Sequence, residues 1–205
     1  MVRIGGGRAN RRTLQTVAGR LVRPTSGRVR QALCNILQEQ MAGAVFVDLF
    51  AGTGSVGLEA LSRGARQAYF VERDPQVLPV LHMNIARCAL PGQATVIQGV
   101  LPTALTALPA DVQADIVFLD PPYASDLAEM TLDALAGFQV LAPHGVVVWQ
   151  HAVRHLAPSM VLGLSLWQRR RYGDTLLSMY APSRRLERDV GALSCSASAA
   201  GITSA

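Results

Sequence analysis

Two short acidic motifs carry the residues best suited to chemistry. The first is residues 48–57, Asp-Leu-Phe-Ala-Gly-Thr-Gly-Ser-Val-Gly, and the second is residues 120–123, Asp-Pro-Pro-Tyr. Each motif follows an apolar run. Since ligands of open α/β sheets bind outside the carboxyl ends of the strands, two acidic strand ends can place a cofactor beside a reacting group. We therefore expect an enzyme.

Strand and helix patterns alternate around these motifs. The predicted strands are 44–50, 67–71, 94–98, 115–119 and 145–149, and the helices between them are 55–63, 75–88, 100–108 and 126–138. Because the strands contain few polar residues, helices should cover both faces of a mostly parallel sheet. Residues 161–170 and 175–180 flank Gly173-Asp174 and predict an antiparallel hairpin at the end of the sheet. The predicted fold class is α/β and Rossmann-like.

The length and composition predict one main domain with a segment on either side. Half of the 205 residues are hydrophobic, which is enough to bury one sizeable core. We assign residues 1–23 to a basic N-terminal extension of short strands and residues 24–181 to the main domain. Residues 182–205 form a Ser/Ala-rich tail that we expect to be disordered at its end. With no long apolar run and no signal-peptide pattern, we expect a cytoplasmic monomer.

Cysteine and histidine spacing gives no support for a metal site. Cys34, Cys88 and Cys195 lie far apart and form no Cys-x-x-Cys pair, so we expect reduced thiols. His151 and His155 could share a helical face, but a third ligand is missing. We interpret them as ordinary surface histidines.

Positive charge is concentrated near the two ends of the chain. All 19 basic residues are arginine, and the net charge is +5. One group precedes Glu39, and a second comprises residues 169–171 together with 184, 185 and 188. Such clusters favour a phosphate-binding surface, although a solvated face is the alternative. The candidate RNA-binding residues are Arg8, Arg11, Arg12 and Arg28.

The glycine loop predicts a cofactor site. Its Gly-x-Gly-x-x-Gly spacing suits a dinucleotide such as NAD, and Glu72 follows at the distance typical of a ribose-binding acid. A pyrophosphate at this loop would lie near Asp48, however, and the two anions would repel. S-adenosylmethionine carries an ammonium group and no phosphate, so Asp48 favours it. The predicted cofactor-binding residues are Asp48, Phe50, Gly52, Gly54, Gly57, Glu72 and Gln98.

The second motif predicts transfer to an exocyclic amine. Its two prolines stiffen the backbone and remove two N–H donors, which leaves carbonyl groups free to face a substrate. Asp120 and those carbonyls can accept both amine hydrogens and turn the nitrogen lone pair toward a methyl group. Tyr123 can stack on the base. The predicted catalytic residues are Asp120, Pro121, Pro122 and Tyr123.

The nature of Asp120 bears on which base is modified. Guanine presents two neighbouring donors, N1–H and the 2-amino group, and a carboxylate only accepts hydrogen bonds. Adenine presents a donor beside an acceptor, which an asparagine would match better. Guanine is therefore favoured, and an adenine-N6 methyltransferase remains the alternative. A non-catalytic RNA-binding protein that assists ribosome assembly is the alternative from another class.

Over residues 2–181 the chain resembles the RsmD-type methyltransferases. The matching segments are 23–25 (Arg-Pro-Thr), 28–30 (Arg-Val-Arg), 48–57, 120–123 and 172–175 (Tyr-Gly-Asp-Thr). The resemblance implies a Rossmann-like methyltransferase domain that uses S-adenosylmethionine to methylate the 2-amino group of one guanine in 16S ribosomal RNA, within a small-subunit particle. It also implies that Thr25 and Arg28 face the active site. Where many methyltransferases have an acid after the third strand, this chain has Gln98. Adenine recognition is thus left to Gln98 or to backbone groups.

Overall fold

The computed structural model describes residues 2–17, 25–122 and 126–183. Predictions that involve Tyr123, Cys195, arginines 184, 185 and 188, and the tail from residue 184 therefore lie outside the described residues.

The described residues form ten strands, five α-helices and two short 3-10 helices. The strands are β1 (Val2–Arg3), β2 (Thr13–Leu14), β3 (Val45–Leu49), β4 (Gln67–Glu72), β5 (Ala94–Gln98), β6 (Ala114–Leu119), β7 (Leu141–Ala152), β8 (Met160–Val161), β9 (Leu164–Tyr172) and β10 (Thr175–Pro182). The α-helices are α1 (Gly27–Ile36), α2 (Gln38–Met41), α3 (Ser55–Ser62), α4 (Leu78–Arg87) and α5 (Leu127–Gly137). The 3-10 helices are Pro91–Gln93 and Thr103–Ala107.

Eight strands make one sheet in the order β5-β4-β3-β6-β7-β10-β9-β8. Neighbouring strands from β5 to β7 pair in parallel, and β10 pairs antiparallel with both β7 and β9. This confirms the α/β class and the antiparallel hairpin. The chain leaves β3 toward β4 and β5, then returns to its other side at β6. The carboxyl ends of β3, β4 and β6 therefore meet where the strand order reverses.

Two apolar layers cover the sheet because successive strand residues point to opposite faces. Phe46 and Phe118 belong to the layer beneath α1, α3 and α4. Val47 and Val117, one residue further along, belong to the layer beneath α5. The central strands are buried on both faces, as their nearly unbroken apolar runs predict.

Two predicted elements differ from those observed. Residues 100–108, predicted as a helix, form only the short 3-10 helix at Thr103–Ala107. Pro102 lacks an N–H group and Pro109 follows closely, so little of the segment can continue an α-helical ladder. The fifth strand of the main sheet, predicted as 145–149, extends over Leu141–Ala152 because β10 pairs along its far half.

The N-terminal segment packs onto the main domain. The side chains of Ile4, Ala9 and Leu14 are buried in the layer that contains α1 and α3. Gly5 donates its N–H to Glu59 Oε2 at 2.7 Å, and Ala9 donates to Ser62 Oγ at 2.8 Å. These bonds attach the segment to α3, directly behind the glycine loop.

Candidate active site

A cavity of about 470 Å³ opens at the carboxyl ends of β3, β4 and β6. This volume lies within the range typical of small-molecule sites. Its walls include these predicted site residues: Asp48, Phe50, Gly52, Glu72, Asp120, Pro121 and Pro122. The structure thus brings both acidic motifs to one cavity.

Asp48 lies at the end of β3, beneath the first turn of α3. Its Oδ2 accepts a hydrogen bond of 2.8 Å from the backbone N–H of Gly57. The pKa of Asp48 is raised to about 7, mainly by burial and also by the nearby carboxylates of Asp120 and Glu72, and the hydrogen bond from Gly57 offsets part of this rise. A buried carboxylate among other acids is stabilised by a cation.

Glu72, at the end of β4, holds the glycine loop as well as lining the cavity. Its Oε2 accepts from the N–H of Gly52 at 2.7 Å, and its Oε1 accepts from the N–H of Asp74 at 2.8 Å. Each carboxylate oxygen has more than one acceptor site, so a ribose hydroxyl can share this group with the backbone. The backbone-holding role gave no signal in the sequence.

Two glycines allow α3 to pack closely on the sheet and do not line the cavity themselves. A Cβ on Gly57 would lie 2.4 Å from Phe70 Cε1. Gly54, whose φ is +83°, caps α3, and a Cβ there would lie 2.4 Å from Leu81 Cδ1. The lack of room for a Cβ explains why glycine occupies both positions of the motif, without either glycine having to contact a ligand.

Asp120 ends β6 and faces the same cavity as Asp48. Its Oδ2 accepts a hydrogen bond of 2.9 Å from the hydroxyl of Thr25. Burial raises the pKa of Asp120 to about 6, against hydrogen bonds from Thr25 and Gln150 that lower it. Thr25 lines the cavity, in agreement with its expected position near the active site.

A buried arginine fixes Thr25. Arg30 on α1 donates to the carbonyl of Thr25 at 3.0 Å and to the carbonyl of Arg3 at 2.7 Å. Its Nε lies 4.0 Å from Glu59 Oε2. Arg30 and Glu59 were missed as site-supporting residues, although an acid and an arginine at buried helical positions were a readable signal.

The N-terminal segment forms part of the cavity wall. Thr16 and Val17 line the cavity directly. The fully buried Asn84 on α4 donates to the carbonyl of Thr53 in the glycine loop at 2.9 Å and to the carbonyl of Gln15 at 3.0 Å. Its Oδ1 accepts from the N–H of Gln15 at 2.8 Å. Asn84 therefore joins the N-terminal segment to the loop.

Gln98 is exposed and does not line the cavity. The next three residues, Gly99, Val100 and Leu101, do line it. Gln98 thus joins Gly54 and Gly57 as predicted cofactor-binding residues that do not line the cavity.

The four candidate RNA-binding arginines are exposed but not equivalent. Arg8 donates to Gln93 Oε1 at 2.8 Å, so its guanidinium already serves the packing of the N-terminal segment. Arg11 and Arg12 lie in the turn between β1 and β2. Arg28 lies in the first turn of α1 and does not line the cavity.

His151 is not a surface histidine, which corrects that interpretation. It is buried, its Nδ1 lies 3.0 Å from the carbonyl oxygen of Ala152, and its Nε2 lies 2.8 Å from Ser178 Oγ. The imidazole is buried because β10 pairs with β7 beside it.

Over the described ranges, no His, Cys, Asp or Glu cluster suited to a metal is found. Nor does the described part of the chain contain a helix long and apolar enough to cross a membrane.

Comparison with known proteins identifies the family of this chain. The family model described as "conserved hypothetical protein 95" matches residues 2–181. The chain belongs to this family. Among curated members of the same group, "Ribosomal RNA small subunit methyltransferase D" of Escherichia coli is 32% identical over 189 residues, 92% of this chain and 93% of the relative. "Putative rRNA methyltransferase YlbH" of Bacillus subtilis is 31% identical over 180 residues, 87% of this chain and 98% of the relative.

Solved structures show the same architecture. A putative methyltransferase, yhhF, from Escherichia coli is 31% identical to this chain and superposes on it with a TM-score of 0.77. The match covers 88% of this chain and 97% of the Escherichia coli chain. A hypothetical protein of Thermus thermophilus is 33% identical over 88% of this chain and 99% of its own, with a TM-score of 0.76. The fold is the Rossmann-like methyltransferase fold, and the cofactor of this family member is S-adenosylmethionine.

The backbone of the glycine loop explains why this family member does not suit NAD. A pyrophosphate binds to free N–H groups at a helix N-terminus. Here Glu72 accepts from Gly52 and Asp48 accepts from Gly57. Glu72 therefore occupies a donor at the cavity that a phosphate would need, and the negative charge of Glu72 and Asp48 suits a cation instead.

The raised pKa of Asp48 predicts pH-dependent cofactor binding. Only the ionised carboxylate attracts the ligand's ammonium, and Asp48 is mostly protonated below pH 7. Affinity for S-adenosylhomocysteine, measured by calorimetry, should rise between pH 5.5 and 7.5 by up to about tenfold per unit. Asp48→Asn should bind more weakly and lose the component centred near pH 7. The control Asp133→Asn, at an exposed position on α5, should keep the wild-type profile. A wild-type affinity independent of pH would contradict the assignment.

Removal of the Thr25 hydroxyl should change the pH profile of methyl transfer. The hydrogen bond from Thr25 lowers the pKa of Asp120, so Thr25→Val should raise it and move the acidic limb of kcat/KM to higher pH. We expect about a tenfold loss of kcat at pH 7, the rate equivalent of a charge-strength hydrogen bond. Thr25→Ser keeps the hydroxyl and should restore the profile. A valine variant with the wild-type pH midpoint would place the control of Asp120 elsewhere.

Proposed function

We propose that this protein transfers the methyl group of S-adenosylmethionine to the 2-amino group of a guanine in small-subunit ribosomal RNA. The observation that carries the proposal is the position of Asp120, a partly buried acceptor in the wall of the cofactor cavity. The small-subunit substrate is supported by the name of the Escherichia coli relative, a ribosomal RNA small subunit methyltransferase.

The residues of the chain divide the work between binding and orientation. S-adenosylmethionine supplies an activated methyl group when bound. Asp48 meets its ammonium through the oxygen that Gly57 leaves free, and Glu72 accepts from its ribose. Asp120 and the carbonyl of Pro121 accept the two amine hydrogens, which directs the nitrogen lone pair at the methyl carbon. Catalysis then consists of orientation in a site shielded from water.

Proton transfer follows the same geometry. The amine nitrogen becomes more acidic as it bonds to the methyl group, and the ionised Asp120 lies beside it to accept a proton. Thr25 donates to Oδ2 of Asp120, which favours the ionised form and fixes the orientation of the carboxylate. The adenine-N6 alternative would use the same acceptors, so the product base has to be identified directly.

The chemistry test is analysis of the methylated nucleoside. Purified protein, isotopically labelled cofactor, and either naked small-subunit RNA or small-subunit particles lacking the modification are incubated, and the RNA is digested. N2-methylguanosine is the expected product, and N6-methyladenosine would establish the alternative. Asp120→Ala should lower kcat about 10²–10³-fold, the usual effect of removing a charge-stabilising group, with cofactor affinity nearly unchanged. Cofactor and RNA binding without any labelled nucleoside would support a non-catalytic assembly protein.

We further propose that Arg11, Arg12 and Arg28 bind RNA phosphates. The Arg11→Gln/Arg12→Gln double variant should weaken RNA binding and reduce the log–log salt slope by roughly 0.7–0.9 for each lost contact. Arg8 is left intact because its bond to Gln93 supports packing. A matched control is Arg66→Gln/Arg87→Gln. An unchanged slope in the Arg11/Arg12 variant would transfer the phosphate contacts to residues 169–171, which are exposed on β9.

A further inference from the structure

Two arginines of β9 share a face of the sheet with His151 of β7. Arg171 pairs with Leu176 of β10, and Leu176 pairs in turn with His151. Residues that pair directly across antiparallel strands lie on the same face, so the side chains of Arg171 and His151 point the same way. Arg169, two residues earlier on β9, belongs to that face as well. The intervening Arg170 therefore points to the opposite face.

This end of β9 lies at the same edge of the sheet as Asp120. β6 and β7 are parallel, and β9 runs parallel to β7 because both pair antiparallel with β10. The carboxyl ends of β6, β7 and β9 therefore share one edge, and Asp120 directly follows β6 there. Three strand spacings separate β6 from β9, roughly 14 Å in all. Since the cofactor cavity extends from Asp120 toward β3 and β4, the half of this edge formed by β7, β10 and β9 is left for the RNA.

A second cavity, of about 300 Å³, lies between the Pro121-Pro122 segment and the end of β7. Both prolines line this cavity and the cofactor cavity alike. His151 and Arg154 line its other side. Arg154 is exposed and lies in the loop that follows β7. The cavity thus joins the site of methyl transfer to the face that carries the β9 arginines.

Arg154, Arg169 and Arg171, here called the arginine surface, keep their charge and most of their donors. All three are exposed, and none forms an ion pair with any described residue. Arg169 donates to the carbonyl of Ala157 at 2.6 Å, and Nε of Arg171 donates to the carbonyl of Gly173 at 2.9 Å. Both acceptors are neutral, and a guanidinium has five N–H donors. The arginine surface therefore retains donors for an anion.

Two acids border the arginine surface without neutralising it. Oε1 of Glu129 lies 3.6 Å from Nε2 of His155. Asp174 lies in the turn between β9 and β10, and its carbonyl accepts from the N–H of Val153 at 3.0 Å. Neither carboxylate pairs with an arginine of the surface. Anionic ligands remain the complementary partners.

We propose that the arginine surface binds phosphates of the RNA strand next to the target nucleotide, and that the second cavity receives the part of that strand nearest the reacting base. A guanidinium can hold a phosphate with two parallel hydrogen bonds, which suits an arginine surface to a nucleic-acid backbone. Phosphate contacts of this kind fix the position of the strand without reading its sequence. The proposal rests on the proposed function, and it adds the course of the RNA across β7, β10 and β9.

The first test measures RNA binding at several salt concentrations. Labelled small-subunit ribosomal RNA, naked or in particles lacking the modification, is titrated with protein saturated with S-adenosylhomocysteine. Arg154→Gln/Arg171→Gln should weaken binding by about tenfold or more and lower the log–log salt slope by roughly 0.7–0.9 for each lost contact. Arg169 is left intact because its bond to Ala157 supports packing. Wild-type binding without salt dependence would overturn the proposal.

Arg170 supplies the matched control, because it carries the same charge next to Arg171 but on the other face of the sheet. Arg87→Gln/Arg170→Gln, at two exposed positions, removes as much charge as the test variant and should keep nearly the wild-type slope. Calorimetric binding of S-adenosylhomocysteine checks that both variants are folded. Equal losses in the two variants would show a general effect of net charge and overturn the proposal, as would an unchanged slope in Arg154→Gln/Arg171→Gln.

Hydroxyl-radical footprinting then locates the contact on the RNA. The wild type should protect the backbone beside the methylated nucleotide, and Arg154→Gln/Arg171→Gln should lose protection on one side of it. Protection lost only at distant nucleotides would overturn the proposal. In methylation assays the same variant should raise KM with kcat nearly unchanged, since phosphate contacts hold substrate and transition state alike.

The footprint also separates this proposal from the proposed function. N6-methyladenosine as the product, with the expected loss of protection beside it, would overturn the proposed function and leave the arginine surface standing. N2-methylguanosine with an unchanged footprint in Arg154→Gln/Arg171→Gln would overturn this proposal alone. No methylated nucleoside at all would overturn both.

Discussion

The rest of the structure depends on the concentration of three carboxylates around one cavity. Asp48, Glu72 and Asp120 end three neighbouring strands and line one cavity, where burial raises the pKa of both Asp48 and Asp120, and the two neighbouring carboxylates raise that of Asp48 further. Backbone N–H groups of the glycine loop and the Thr25 hydroxyl offset part of the resulting cost of ionisation. The part of this cost that is not offset favours the binding of a cation at the cavity. A cofactor with a sulfonium and an ammonium relieves the repulsion, and the charge thus serves recognition rather than stability.

The supporting residues form one continuous chain of contacts from α3 to Asp120. Glu59 lies beside Arg30, Arg30 donates to the carbonyl of Thr25, and the hydroxyl of Thr25 donates to Asp120. Glu59, Arg30 and Thr25 are all buried and polar, so the loss of one leaves a partner unsatisfied. Such a network holds a carboxylate in one orientation, which a catalyst that works by positioning requires.

Local sequence patterns were enough to predict the strands and the acids at their ends, but not the buried polar residues that hold the site together. Uniform apolar runs located the central strands. The acids Asp48, Glu72 and Asp120 at their ends were predicted to lie together, and they line one cavity, because strand ends of a parallel sheet share one edge. The roles of Asn84 and Arg30 depend on contacts with segments far away in sequence, which no local period encodes. His151 was misread for a related reason: its burial depends on β10 rather than on its own neighbours. Gln98 was predicted to bind the cofactor because it follows the third predicted strand, and the cavity is lined instead by the three residues after it.

The attachment of residues 2–17 has a consequence for biosynthesis. These residues leave the ribosome early, yet the groups that hold them are Glu59 on α3 and Asn84 on α4, which lie 54 and 69 residues later than their partners Gly5 and Gln15. Residues 2–17 must therefore wait, with Ile4 and Leu14 uncovered, until α4 has emerged. Contacts of such long sequence separation form late in folding. The part of the cavity wall formed by Thr16 and Val17 consequently cannot be fixed in place until α4 has been synthesised.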